Sequence, residues 1–302
     1  MSAPTPPRFR INRHRRLAWI GSGLAVALSL LGMALCWTNP AIHLPLRPGL
    51  DFTGGTQIQV ERACGASCSP LSAAAVQQQI SEASVQVLDG GRSLALRLPA
   101  LSPEQGQAVV QKLNTLVGPL LPQQTSIDTI GPTLGEQLLR GSLISLVVSF
   151  AAIAAYISFT YSGVFAVLAL LCLAHDVLIT CGAFAWLGLL RGVEVDSLFA
   201  VALITVAGYS VTDTVVIYDR IREQRRTMPD LPVADQVDLA VDATLTRSLY
   251  TSLTTLLPLI GLIFFGGSAL SWFAVALTIG IAVGSWSSIG VAPTLLPLLL
   301  RR

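Results

Sequence analysis

The longest charge-free stretch of the chain extends from Ser248 to Leu300, where 53 consecutive residues include no Asp, Glu, Lys or Arg. A helix of about 20 apolar residues is enough to cross the roughly 30 Å hydrocarbon core of a membrane. The stretch is too long for one such helix and has the length of two. Glycines at positions 266 and 267 lie near its middle, where they favour a turn. The stretch therefore predicts two membrane spans joined by a short turn.

Other parts of the chain have the same apolar texture. Leu17–Trp37 could form one span, and Gly141–His175 is again free of Asp, Glu, Lys and Arg. Turn signals at Ser158–Gly163 and at Arg191–Asp196 divide the middle of the chain. We therefore predict an α-helical integral membrane protein with six transmembrane helices, at residues 17–37, 138–157, 164–187, 197–218, 246–265 and 270–298.

Composition supports a membrane protein. Hydrophobic residues make up 52% of the 302 residues and charged residues only 12%, whereas a typical soluble domain is about 25% charged. So few charges cannot cover a water-soluble surface. A disordered chain, a nucleic-acid-binding domain and an ordinary cytosolic enzyme are excluded as first choices.

The basic residues of the short segments predict the orientation, because cytoplasmic loops carry an excess of arginine and lysine. Residues 1–16 contain five arginines, so this N-terminal segment should be cytoplasmic. Six crossings return the C-terminus, with Arg301 and Arg302, to the same side. The loop 219–245 also lies on that side, and its arginines are at positions 220, 222, 225 and 226. A cleaved signal peptide is the alternative for the first span, but its apolar stretch is too long and no Ala-x-Ala site follows, so we expect a retained signal-anchor.

The segment between the first two spans contains most of the remaining charges. Its periodicity predicts a strand at 57–61, a helix at 71–83, a hairpin with strands 85–88 and 94–98, a helix from Ser102 and a strand at 126–130. Ser102 and Gln105 form a capping-box pattern. The order βαββαβ predicts a ferredoxin-like α+β domain at residues 38–137, outside the membrane in the periplasm. Residues 138–302 then hold spans two to six.

The five cysteines divide by location. Cys64 and Cys68 fall in the outer domain, where the compartment is oxidising, and a disulfide and two free thiols are both open. The other three cysteines lie in predicted spans and are expected to be apolar packing residues. The sequence suggests no metal site, since no histidine lies near the first pair.

Three charged residues fall inside predicted spans. Asp213 and Arg247 lie at similar depth on consecutive antiparallel spans, about 9 Å and 7.5 Å from the cytoplasmic flank. Asp176, next to His175, lies deeper. Ionisable residues within a membrane are expensive and mark candidate functional sites. We therefore expect Asp213 and Arg247 to pair, and we expect only one of His175 and Asp176 to face inward.

Polar residues accompany this charged pair along both helices. One face of span four carries Thr205, Tyr209, Thr212 and Asp213, and one face of span five carries Thr244, Arg247, Thr251 and Thr254 or Thr255. Such faces should meet each other or a wet cavity rather than lipid. Protonation of the carboxylate would break the ion pair and produce a two-state element driven by a proton, although the pair could equally be a static brace.

Four segments resemble the SecD/SecF family of protein-export membrane proteins. Residues 47–56, with Asp51, Phe52, Gly54 and Gly55, resemble the SecF signature Asp-Phe-x-Gly-Gly. Residues 208–223, 246–255 and 174–176 resemble the motifs of the fourth, fifth and third spans. The resemblance covers nearly the whole chain in the correct order.

The resemblance implies a fold of the resistance–nodulation–division superfamily and an unfused SecF-type subunit of the bacterial plasma membrane. Such a subunit pairs with SecD and assists the SecYEG channel, with a YajC-like subunit, in moving preproteins by the proton-motive force. The proton-linked pair that the resemblance implies is Asp213 and Arg247. Thr212, Asp176 and His175 are further candidates for the proton path because of their positions within the spans. Gly54 and Gly55 are implied to form a structural base for the outer domain rather than a substrate contact.

Two other functions remain open at this stage. The chain could be a stand-alone exporter of small molecules or lipids from the same superfamily, or an assembly factor with an inert ion pair. The sequence contains no Walker motif and no evident nucleophile–base set, so we predict neither an enzyme nor a bound cofactor. Membrane lipid, but no nucleic acid, is expected as a further partner. Gly280, Gly284 and Ser288 of the last span are expected to permit close packing within the chain.

Overall fold

The computed structural model describes residues 7–64, 71–80, 83–88, 91–161 and 163–300. The chain forms two compact units. One, called the membrane unit below, consists of Met1–Arg47 with Ser142–Arg302. The other, called the sheet unit, is Pro48–Gly141.

The described residues form ten α-helices. In chain order these are α1 (Ile11–Thr38), α2 (Leu50–Thr53), α3 (Ala73–Gln79), α4 (Pro103–Val117), α5 (Pro132–Thr160), α6 (Gly163–Arg191), α7 (Ser197–Thr227), α8 (Val233–Phe265), α9 (Gly267–Trp286) and α10 (Ala292–Leu299). A π-helical segment, Ser287–Val291, joins α9 to α10.

Six helical stretches are long and apolar enough to cross a membrane: α1, α5, α6, α7, α8 and the continuous run Leu270–Leu299. This number agrees with the six predicted spans. The predicted breaks are also found, since α5 and α6 are separated near residue 161 and α8 ends at Phe265. Asp196 caps α7, because its Oδ1 accepts a hydrogen bond from the Phe199 backbone amide at 2.9 Å.

The helices of spans four and five are longer than the predicted spans. Helix α7 continues to Thr227 and α8 begins at Val233, so most of the predicted loop 219–245 is helical. The extension of α7 is rich in Arg, Glu and Gln, which are good helix formers. Arg220 and Glu223 also form an ion pair one turn apart. Pro232 then precedes α8, where its fixed φ suits a helix start.

The centre of the membrane unit consists of α6, α7 and the last span, which are more deeply buried than the other three spans. Helix α1 packs closely against α6, since a side chain at Gly182 would collide with Ser29, and the Cys36 thiol contacts the Ala185 carbonyl oxygen at 3.3 Å. Helix α5 leaves most of its apolar side chains uncovered.

The second unit contains a four-stranded antiparallel sheet. Its strands are β1 (Gly55–Glu61), β2 (Ser84–Leu88), β3 (Ser93–Leu98) and β4 (Ser126–Ile130), in the order β2-β3-β1-β4. Ile58 of the central strand β1 lies opposite Leu96 on one side and Ile127 on the other. Ile58, Leu96 and Leu113 of α4 are fully buried and form the core of this unit.

The predicted succession of strands and helices is present in the sheet unit, and so is the capping box at α4. Ser102 Oγ accepts from the Gln105 amide, and the Gln105 side chain accepts from the Ser102 amide. Helix α3 is shorter than the predicted helix 71–83. The unit also begins at Pro48 rather than at residue 38, because α1 continues to Thr38 and the Arg47 carbonyl accepts a hydrogen bond from Val195 of the membrane unit at 2.8 Å.

Candidate functional site

Asp213 lies on the packed side of α7 and is 7% exposed. Its Oδ1 accepts a hydrogen bond from Ser248 Oγ of α8 at 3.0 Å. Its Oδ2 is buried, and the described residues offer it no hydrogen-bond partner. A buried carboxyl oxygen without a donor is unfavourable when ionised. Oδ2 is therefore a position at which a proton can bind.

Arg247 does not make the predicted ion pair with Asp213. Among the described residues no Arg or Lys nitrogen lies within 4.0 Å of the Asp213 carboxylate, and the Arg247 side chain is exposed. Helix geometry explains the difference, because neighbouring residues of an α-helix point about 100° apart. Ser248 faces Asp213. Arg247, the next position around the helix, lies beyond ion-pair distance but close enough for a longer-range electrostatic interaction with Asp213.

The predicted polar stripes divide between the inside and the outside of the helix pair. Tyr209 of α7 is half-buried, and its hydroxyl donates to Ser252 Oγ of α8 at 3.1 Å. Thr205 and Thr212 are exposed and donate to carbonyl oxygens of their own helix.

An uncovered polar face flanks these contacts. Some of its residues are direct chain neighbours of the residues that bond α7 to α8. The others lie one or two turns from these, on the same side of the same helix. The face comprises Thr205, Gly208 and Thr212 of α7 with Arg247, Thr251 and Thr254 of α8, all of which are exposed. A face of hydroxyls and one guanidinium is poorly suited to lipid.

His175 and Asp176 of α6 are both buried, contrary to the expectation that only one would face inward. His175 is 8% exposed and Asp176 is 0% exposed. The two side chains bond to each other, with 2.8 Å between His175 Nδ1 and Asp176 Oδ1. Asp176 lies in contact with α7 and the last span through Ser210 and Ser287, whose hydroxyls both donate to Oδ2.

Buried hydroxyls of the last span complete the polar interior, and most of them were not among the predicted site residues. Ser285 contacts Ser252 of α8 at 2.6 Å, and Ser288 contacts Thr214 of α7 at 2.8 Å. A serine in a helix can satisfy its hydroxyl on the preceding turn, so serine in a charge-free stretch is a weak signal. The close spacing of Ser285, Ser287 and Ser288 in an otherwise apolar stretch is the signal that could have found them.

The small residues of the last span pack within the chain, as predicted. A methyl group at Gly284 would lie 3.1 Å from Ser210 Cβ and 3.5 Å from Asp176 Oδ2, and one at Gly280 would collide with Val206. This close approach brings the serines of the last span within reach of α6 and α7.

The Gly54–Gly55 pair forms a tight turn in the sheet unit. Asp51 and Phe52 belong to the single-turn helix α2, which ends at this pair. Gly54 has φ of +67° and Gly55 has φ of +116°, a region that glycine occupies readily. A Cβ on Gly55 would also lie 2.6 Å from the Leu98 carbonyl oxygen. The turn therefore has a stringent backbone requirement, which is compatible with a structural role.

Cys64 is disulfide-bonded, and its predicted partner, Cys68, lies outside the described residues. The other three cysteines are free, and two of them are buried and the third is half-buried.

Family models match helices α4 to α10 and the turn of the sheet unit. The model of the protein export membrane protein SecD/SecF C-terminal region matches residues 109–302. The model of the SecD/SecF GG motif matches residues 42–66, which include Gly54 and Gly55. The chain belongs to the SecD/SecF family.

Curated relatives within this family are SecF proteins. The chain is 50% identical to the protein translocase subunit SecF of Prochlorococcus marinus, over 96% of this chain and 95% of the relative. It is 46% identical to the SecF subunit of Synechocystis, over 92% of this chain and 90% of the relative. These matches confirm the resemblance to SecF and the expectation of a multi-pass membrane protein of protein transport.

A solved structure of the family has the same fold. The crystal structure of SecDF from Thermus thermophilus, described as a translocon-associated membrane protein, superimposes with a TM-score of 0.80 and 31% identity. It covers 98% of this chain, but this chain covers only 39% of that one. Asp176, Asp213 and Arg247 all lie within the part that the SecD/SecF C-terminal model matches.

Proposed function

We propose that this chain is an accessory subunit of the Sec protein translocase that works with a SecD subunit and uses the proton-motive force to promote protein export. The observation that carries the proposal is the buried carboxyl of Asp213, whose Oδ2 has no hydrogen-bond partner among the described residues. The family membership supports the role in the translocase.

The uncovered polar face supports a SecD partner. Arg247 needs a polar neighbour within the membrane, because the alternative for its guanidinium is lipid. The threonine hydroxyls beside it already donate to their own helices and can accept hydrogen bonds from such a neighbour. The Thermus SecDF chain contains a long region beyond the part that resembles this chain. We infer that a second set of spans, belonging to SecD, covers α7 and α8. A homo-oligomer would instead indicate a stand-alone exporter.

Asp213 can then carry the proton. A proton that enters from the outer side binds Oδ2, and the carboxylic acid so formed is neutral. Ser248 keeps its hydrogen bond to Oδ1 in both states. Release of the proton to the cytoplasm restores the carboxylate, whose charge Arg247 and the nearby Thr212 can stabilise when the partner encloses them. A potential of about 100 mV supplies roughly 2.3 kcal/mol per charge moved.

We propose that the sheet unit is a ferredoxin-like domain in the periplasm. The strand order β2-β3-β1-β4, with α3 and α4 each following a strand of the βαββαβ succession, supports this fold. The arginine-rich segments before α1 and at the end of α7 support a cytoplasmic N-terminus. With six spans the C-terminus is cytoplasmic as well.

The further partners follow from the translocase role. We infer that the subunit acts at the SecYEG channel with a YajC-like subunit, on preproteins that cross the bacterial inner membrane. The name of the Thermus protein as translocon-associated supports this location.

Gradient-driven export in membrane vesicles tests the proton role. Asp213→Asn keeps the side-chain shape and an acceptor for Ser248 but cannot release a proton. We expect this variant to assemble with the SecD partner and its gradient-stimulated export to fall at least tenfold. Asp230→Asn, the same change at an exposed loop position, is the control and should leave export unchanged.

Two results would contradict the proposal. Unchanged gradient-stimulated export by Asp213→Asn would remove the proton role. Recovery of the purified chain as a homodimer or homotrimer, without a SecD-type partner, would favour the exporter.

A further inference from the structure

A second carboxyl group lies deeper in the membrane unit than Asp213. Asp176 is fully buried, and its two oxygens make three hydrogen bonds. His175 Nδ1 lies 2.8 Å from Oδ1, and the hydroxyls of Ser210 and Ser287 donate to Oδ2 at 2.6 Å and 2.8 Å. The partners come from α6, α7 and the π segment, so this one carboxyl joins three elements of the unit.

The charge of this site depends on a single proton. An enclosed carboxylate without a cation is strongly disfavoured. Within the part of the chain that the structure describes, no arginine or lysine lies within 4.0 Å of Asp176, and its ion-pair partner is His175. One proton, held either on Asp176 or on a second nitrogen of His175, makes the pair neutral overall.

His175 provides the exchange position. Its Nδ1 faces Asp176, while its Nε2 is buried and has no hydrogen-bond partner among the described residues. A proton can move between Nδ1 and Oδ1 over a 2.8 Å contact, and it can leave or enter the pair at Nε2. An imidazole with one occupied and one open nitrogen suits proton exchange.

We propose that His175 and Asp176 form a second proton-binding site, which controls the position of the helix that bears Asp213. The proposal rests on the proposed proton-driven function and extends it to a new site. In the loaded state the pair holds one shared proton and is neutral. In the empty state the carboxylate keeps its negative charge, His175 is neutral, and Ser210 and Ser287 supply the stabilising hydroxyls.

The connection to Asp213 follows from the helix geometry. Ser210 donates to Asp176 and lies one turn before Asp213 on α7. The opposite side of Asp213 is held by Ser248 of α8. Because the Gly284 backbone lies close to both Ser210 and Asp176, there is little free space for the carboxyl to reorient without moving α7 or the last span. Binding or release of a proton at Asp176 therefore changes the position of α7 relative to α6 and the last span.

Few other titratable groups surround the site. Cys172 lies one turn earlier on α6 and interacts electrostatically with Asp176. Helix α7 contributes Asp213 and the fully buried Tyr218, which interacts electrostatically with Cys172. The last span, from α9 through α10, contains no titratable side chain in its described residues. The cysteine of α1, Cys36, contacts Ala185 at the far end of α6. The pair thus depends on its own proton for neutrality.

Histidine NMR tests the shared proton. The chain contains three histidines, and His14 and His43 are exposed and serve as internal controls. In the full-length protein labelled with ¹⁵N-histidine in lipid vesicles, we expect the His175 Nδ1 signal to show a hydrogen-bonded proton. Asp176→Asn should shift this signal toward that of an ordinary neutral imidazole, while the two exposed signals stay in place. A His175 signal that does not respond to Asp176→Asn would overturn the proposal.

Export measurements in vesicles test the function of the site. We expect Asp176→Asn to lower gradient-stimulated export at least tenfold, while the amount, the thermal stability and the ATP-driven export of the complex stay unchanged. Asp176→Glu, which keeps a carboxyl group, should lose less gradient-stimulated export than Asp176→Asn. Asp230→Asn, the same change at an exposed position outside the site, is the matched control and should leave gradient-stimulated export unchanged.

Parallel assays of Asp213→Asn separate the two proposals. If Asp213→Asn abolishes the gradient effect and Asp176→Asn does not, the second site is refuted and the proposed function stands. If Asp213→Asn has no effect, the proposed function itself fails. Loss of stability or of ATP-driven export in Asp176→Asn would assign that residue a structural role and also refute the second site.

Discussion

Close packing between α7 and α9 at Gly280 makes a sharp prediction. A Cβ at this position would lie 2.7 Å from Val206 Cγ1 and closer still to Cγ2, with Val206 fully buried. Gly280→Ala therefore requires the two helices to separate or Val206 to leave its rotamer. Because Ser210 lies one turn after Val206, separation would lengthen the contacts of Asp176 with Ser210 and Ser287.

The expected magnitude combines two opposing effects. Overpacking a filled interior typically costs about 1–3 kcal/mol, while replacing a helical glycine by alanine gains up to about 1 kcal/mol. We therefore expect Gly280→Ala to lower the free energy of unfolding by about 1–2 kcal/mol. Val206→Ala alone should cost about 1–3 kcal/mol through the lost methyl groups and the cavity.

The double variant shows whether the two residues contact each other. With alanine at position 206, the nearest valine atom left is Cβ, 3.0 Å from the new methyl group, a distance that a shift of a few tenths of an ångström relieves. The new methyl also fills part of the cavity. We expect the double variant to be more stable than the sum of the single effects by about 1–3 kcal/mol, the usual range for contacting residues.

Reversible unfolding in mixed micelles, with rising SDS fraction, measures these free energies. Gly261→Ala is the matched control, because nothing lies within 4 Å of a Cβ at this glycine of α8. The reasoning is refuted if Gly280→Ala is as stable as Gly261→Ala. It is also refuted if the effects at positions 206 and 280 add within about 0.5 kcal/mol, as they do for distant sites.

Two further predictions concern other parts of the chain. Asp242 Oδ1 accepts a hydrogen bond from the Phe9 amide at 2.9 Å, so Asp242→Ala should free the segment before α1 and cost about 0.5–2 kcal/mol, as a lost helix cap does. The protease sensitivity of this segment measures the effect, and protection equal to that of the wild type would contradict the prediction. Gly55→Ala should destabilise the sheet unit by more than Gly118→Ala does, because both glycines have positive φ but only a Cβ at Gly55 would also collide with the Leu98 carbonyl oxygen. The free energies of unfolding of the two variants test this, and equal losses would contradict the close contact between Gly55 and Leu98.

Much of the fold could be predicted from local patterns. Charge-free stretches predicted six spans because lipid excludes charge along the whole length of a helix, and the strands β1 to β4 followed from short apolar periods. The helical continuation of α7 and α8 into the charged loop was missed, because a charge count detects the membrane boundary and not the end of a helix. The intramembrane position of Asp213 and Asp176 could likewise be predicted from charge alone.

The partners of those charges could not be predicted. Depth along two antiparallel helices suggested that Asp213 and Arg247 would meet, since depth is set by residue number. The rotation of each helix about its axis determines which side chain faces the neighbouring helix. Here it is Ser248, and not Arg247, that contacts Asp213. The same applies to Asp176, whose hydroxyl partners lie 34 and 111 residues away in the chain.

The sequence by itself determined that the chain has six stretches long and apolar enough to cross a membrane, which segment forms the sheet unit, and which few charges lie within those stretches. These properties depend on composition and short-range period, which any stretch of chain carries alone. Only the tertiary structure decided that His175 and Asp176 both turn inward and that Arg247 turns outward. Which side of a helix is buried depends on the helices packed around it, and here glycines at 280 and 284 allow the last span close enough to α7 for its serines to bond to Asp176.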